Sequence, residues 1–83
     1  MSAPHLAPTG CTPADLPALR SAARHIRGHR HDAALATLRA THDAGDWHTR
    51  AALDAPLALL GRGYADAALT VLDAELQRVE GRL

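Results

Sequence analysis

Apolar residues recur along this chain at spacings of three and four, broken only near glycine or proline. Leu16, Leu19, Ala23 and Ile26 form one stripe and predict a first helix over about 15–27, ended by Gly28. Asp15 is placed to cap it, with Pro17 in the first turn, where a missing N–H does little harm. Thr12-Pro13 is a rival start, but it would push Pro17 too deep into the helix. Ala34, Leu35 and Leu38, continued by His42, predict a second helix over about 31–44. Asp32 lies in its first turn, and Gly45 is expected to close it in a left-handed cap. Trp47, Ala51, Leu53, Leu57 and Leu60 predict a third helix from the N-cap Asp46 to about Leu60. Pro56 should kink or split it, and Asp54 could cap the second piece. After Gly61-Arg62-Gly63, the residues Ala65, Leu69, Leu72, Leu76, Val79 and Leu83 alternate spacings of four and three. That heptad seam predicts a fourth helix over about 64–81.

The fold expected is therefore all-α: four short antiparallel helices and a disordered N-terminal tail. Residues 1–13, MSAPHLAPTGCTP, hold three prolines and a glycine and read as the tail; residues 14–83 read as one helical domain. Composition agrees. Thirteen Leu and nineteen Ala stand against one Ile, two Val, one Trp, one Tyr and no Phe, a mixture that favours helix over strand. Eighty-three residues permit a single domain, small enough to gain from oligomerising.

A shift of 34 residues lays Asp32-Ala33-Ala34-Leu35 on Asp66-Ala67-Ala68-Leu69, Leu38 on Leu72 and Ala18-Leu19 on Ala52-Leu53. A two-helix unit of that period resembles the tetratricopeptide repeat. The resemblance implies that Ala34 and Ala68 take the small-residue position that lets the second helix pack closely on the first. Leu38 and Leu72 would take the large apolar position four residues on. Departures are visible. The family's early aromatic is Ala18 and Ala52 here, its helix glycine is Ala22 and Pro56, and its closing proline is Asp46. A helical bundle and two tetratricopeptide-like hairpins both fit the pattern.

Charge sums to zero but is unevenly placed. Residues 1–42 hold five arginines against Asp15 and Asp32, and residues 43–83 hold four arginines against seven acids, so the halves carry +3 and −3. Arg20, Arg24, Arg27 and Arg30 form a basic face on and just after the first helix, a possible grip for phosphates. The simpler expectation is that this face pairs with the acidic half of the same chain. His25, His29 and His31 cluster there too, but Gly28 interrupts the helix before His29 and no acid lies close in sequence. Surface histidines are expected rather than a metal site.

Cys11 stands alone in the tail, so no intrachain disulfide is possible and a solvent-reactive thiol is expected. Asp46 and Asp54 read as helix caps rather than an acid–base pair. No cofactor motif, phosphate loop or set of nucleophile, base and oxyanion donors can be assembled, so no enzyme and no cofactor are expected. No long apolar run or signal-peptide pattern is present, and the expected setting is the cytoplasm without membrane association. These readings lead to the expectation of a non-catalytic protein-interaction or assembly module that self-associates as a homodimer. The alternative is a nucleic-acid-associated protein using the basic face. The apolar contact residues expected for a partner are Trp47, half exposed at a helix start beside a turn, and Leu76, Val79 and Leu83, because the first three helices are too short to cover the C-terminal seam.

Overall fold

The computed structural model describes residues 10–83. Among them, four helices and no strand occur: α1 Leu16–Arg27, α2 His31–Ala44, α3 Trp47–Gly61 and α4 Ala65–Glu80, with a short 3-10 turn Pro13–Asp15 before α1. Each helix packs on its neighbours in sequence, and α1 also packs on α4. The four helices thus close into a ring, the arrangement of a helical bundle.

The core is made of Leu and Ala held at close range. Leu19, Ala22, Ala23, Ala34, Leu38, Leu53, Ala68, Leu72 and Val79 have no exposed surface. Alanine at these positions leaves no side chain to hold the helices apart, so leucines from facing helices can interdigitate. Positions 34 residues apart play matching roles: Leu19 and Leu53, Ala34 and Ala68, and Leu38 and Leu72 are all fully buried.

The two hairpin turns match in the same register. Gly28 and Arg62 have φ/ψ of −88°/10° and −95°/2°, and Arg30 and Tyr64 have −101°/66° and −92°/63°. Between them His29 and Gly63 both take positive φ, 59° and 86°. The hydrogen bonds repeat as well. His29 N–H donates to the Ile26 carbonyl as Gly63 N–H does to Leu60, and Arg30 N–H donates to His25 as Tyr64 N–H does to Leu59. The chain is therefore two like hairpins, α1–α2 and α3–α4. The packing corresponds too, since α1 meets α4 as α2 meets α3.

Several sequence expectations change on contact with the structure. Thr12 and Asp15 are both used, in series. Thr12 N–H donates to the Asp15 carboxylate at 2.9 Å and Asp15 N–H donates back to the Thr12 carbonyl at 2.9 Å, which makes the 3-10 turn. With its carboxylate turned backward, Asp15 makes no side-chain cap on α1. Gly45 is extended, with φ −87° and ψ 168°, not left-handed, because Asp46 follows at once as the N-cap of α3. Pro56 neither splits α3 nor calls on Asp54 as a cap. It lies buried inside a continuous helix, and Asp54 instead meets His42 of α2 at 3.0 Å.

The largest correction concerns the boundary of the tail. Residues 1–9 lie outside the described residues, but Gly10 and Cys11 are buried and belong with the bundle. Cys11 has no exposed surface and shares the core with Leu16, Leu19, Leu76 and Val79.

Candidate protein-interaction surface

Half of the basic face is paired with α4. Arg20 Nη2 meets Glu80 Oε2 at 2.9 Å, and Arg27 Nη2 contacts both oxygens of Asp73, at 2.8 and 3.0 Å. Arg30 donates from Nε to His25 Nδ1 at 3.1 Å. Only Arg24 of the four makes no side-chain hydrogen bond or ion pair among the described residues. The charge asymmetry between the halves of the sequence is thus resolved across the α1–α4 contact. These pairs are solvent-exposed, so each adds little stability, but they lower the positive potential a phosphate backbone would meet.

The histidines do not converge. His29 and His31 lie with ring centroids 6.1 Å apart at the hairpin-turn end of the bundle, while His25 is taken by Arg30. Among the described residues no group of three or more His, Cys, Asp or Glu side chains stands in metal-binding proximity. His29, His31, Tyr64 and Asp66 do line an open cleft of about 520 Å³ between the two turns. Tyr64 is 60% exposed there.

At the opposite end, a second open groove of about 340 Å³ runs between α3 and α4. It is lined by Trp47, His48, Ala51 and Ala52 on one side, Glu75 and Arg78 on the other, and Gly10 at its end. Trp47 is 65% exposed, and its ring lies on that of His48 with centroids 3.8 Å apart. Local sequence explains why it is held there. Asp46 accepts the Thr49 N–H at 3.1 Å, which caps the helix and makes the tryptophan its first residue. That same hydrogen bond holds the Asp46 carboxyl below its ordinary range. His48 Nδ1 is buried without a hydrogen-bond partner among the described residues.

The groove is bordered by a clamp that no local sequence signal announces. Glu75 Oε2 accepts the Cys11 N–H at 2.7 Å, Arg78 donates to the Cys11 carbonyl at 3.1 Å, and Arg78 also binds Glu75 from Nε at 3.0 Å and from Nη2 at 2.6 Å. Residues 10–12 therefore form a strap held to α4 on both edges of its backbone. Gly10 is required at the start of the strap. Its φ is +110°, and a Cβ would run into Arg78 and Glu75. Burial alone would raise the Glu75 pKa, but the bonds from Arg78 and from the Cys11 N–H bring it below its ordinary value. Burial, followed by the negative charge of Glu75, pushes the Cys11 thiol up to about 12. The sequence expectation of a reactive thiol is thus overturned: Cys11 is enclosed and held as the neutral thiol.

The apolar residues expected to meet a partner divide. Leu76 and Val79 are core residues, 8% and 0% exposed, in the same buried cluster as Cys11, Leu16 and Leu19. They are withdrawn as contact residues. Trp47, and Leu83 at 75% exposure, remain at the surface, at the end of the bundle where α3 begins and α4 finishes. No helix among the described residues is long and apolar enough to cross a membrane. No protein-family model, curated protein or solved structure matches the chain.

Proposed function

We propose that this chain is a non-catalytic protein-interaction module that assembles with a second copy of itself through the α3–α4 groove. The observation that carries this reading is Trp47. The only tryptophan of a chain poor in aromatics is 65% exposed beside a groove floored by Ala51 and Ala52. An exposed aromatic beside small apolar residues is the arrangement from which binding energy at protein interfaces is mostly drawn. The groove also carries opposite charges on one helix, Glu75 and Arg78, so a copy related by a two-fold axis would meet complementary groups. Nucleic-acid binding through Arg20, Arg24, Arg27 and Arg30 is the weaker reading, since Arg20 and Arg27 are engaged by Glu80 and Asp73.

Light scattering of the full chain from micromolar to millimolar concentration tests the proposal. The mass should rise above the 8.8 kDa of one chain, and Trp47→Arg should hold the protein at that mass while Arg24→Glu does not. A monomer at every concentration, or an assembly indifferent to Trp47→Arg, would refute it.

A further inference from the structure

The strap of residues 10–12 does more than close the core. It occupies Glu75 and Arg78, the two charged groups that a second copy approaching the α3–α4 groove would need. We propose that the strap is an autoinhibitory latch: while it is fastened, self-association through the groove is weak, and when it lifts, Glu75 and Arg78 are released to pair with a second copy. This inference rests on the groove being the assembly surface.

The competition follows from the geometry. The Glu75 carboxylate and the Arg78 guanidinium bind each other and also share one residue of the strap, by its N–H and its carbonyl. Those bonds bridge 64 and 67 positions of sequence, so the strap is a long-range attachment and not a local turn. Consider a second copy whose α4 lies antiparallel to the first, with the two-fold axis passing between residues 76 and 77. Glu75 then faces Arg78 of the second copy, and Arg78 faces its Glu75. The charge pattern of this helix is self-complementary about that axis, which is what an isologous interface demands. Trp47, Ala51 and Ala52 lie along the same groove and would be covered by the same approach. Gly10 lines its end, so lifting the strap lengthens the groove. The fastened strap and the second copy therefore compete for the same donors and acceptors.

The latch also has a built-in reporter. Cys11 is enclosed only while the strap is down, so the rate at which a thiol reagent modifies it measures opening. Two variants loosen the latch from opposite sides in the full chain. Gly10→Ala places a methyl group against Arg78 and Glu75 at a residue with φ +110°. Thr12→Pro removes an N–H that donates to Asp15, next to the clamped residue. Gly10→Ala presses on the groove charges themselves, whereas Thr12→Pro leaves them untouched, so the association readout rests on Thr12→Pro and Gly10→Ala serves for the labelling rate. Each should raise the Cys11 labelling rate by about tenfold or more, since hydrogen bonds to charged groups shift an opening equilibrium by roughly that factor. Labelling should stay weakly dependent on denaturant, as local opening requires, and self-association of the Thr12→Pro chain should tighten in parallel.

The outcomes are separable. If the wild-type chain associates through Trp47 and faster labelling leaves association unchanged, the latch is wrong and the groove proposal survives. If neither the wild-type chain nor the loosened variants associate at any concentration, both fall. If labelling in both variants tracks global unfolding, or both fail to fold, the strap is an inseparable part of the core and the latch is again overturned.

Discussion

The matching turns at 28–30 and 62–64 make a differential prediction, because the same backbone position is filled by histidine in one and by glycine in the other. His29 sits at φ 59° and Gly63 at φ 86°. For a residue with a Cβ the left-handed region costs roughly 1–2 kcal/mol. Glycine avoids that cost but brings a freer unfolded chain, worth about 0.4–1 kcal/mol. His29→Gly should therefore stabilise by about 0.5 kcal/mol, the difference between these opposing effects. Gly63→Ala should destabilise by about 0.5 kcal/mol, the same balance with the sign reversed, because a Cβ there meets nothing within 4 Å. The loss of the tilted His29–His31 approach, centroids 6.1 Å apart, works slightly against the gain at position 29. Urea unfolding followed by circular dichroism reads both changes as midpoint shifts at constant slope. A His29→Gly variant that loses as much stability as Gly63→Ala would show that the turns are equivalent in form but not in energetics.

Other expectations follow from particular contacts. Leu38→Ala and Leu72→Ala, at corresponding fully buried positions, should each cost about 2–5 kcal/mol and lower the thermal midpoint together, which calorimetry can measure. His42 is held between Asp43 and Asp54, and the hydrogen bond to Asp43, then that to Asp54, raises its pKa above 6.5 while burial opposes the shift. Its folded form binds the proton more tightly than the unfolded chain does. The stabilisation is complete below pH 6.5 and is lost as pH rises through the raised value, so His42→Ala should flatten stability against pH in that window. Asp46→Ala should weaken the start of α3 above the ordinary aspartate range and have no effect once the carboxyl is protonated, a sign that acid titration of helicity can check.

Much of the helical framework is legible in the chain, since spacing and breakers speak about neighbours. The limits of α2 follow from Asp32 and Gly45, and the start of α3 from Asp46, because caps and breakers act within a turn of where they stand. Pro56 misleads for the same reason: its local cost predicts a break, while burial within the bundle keeps α3 continuous. The strap is invisible locally. Three prolines and a glycine describe a loose lead-in, and nothing near Cys11 announces bonds to residues more than sixty positions away. The burial of Leu76 and Val79 is missed with it, since Cys11 belongs to the same core. The exposure of Trp47 is legible, since a residue directly after the Asp46 cap and beside a turn has no preceding helical turn to cover it.

The chain has one tryptophan, so its fluorescence reports on one place alone. Emission measured across a concentration series tests assembly through the α3–α4 groove most directly. The groove interface predicts a shift to shorter wavelength in step with the rise in mass, as Trp47 passes from water into the contact. An emission that stays that of an exposed indole while the mass rises, or a mass that never rises, would contradict it.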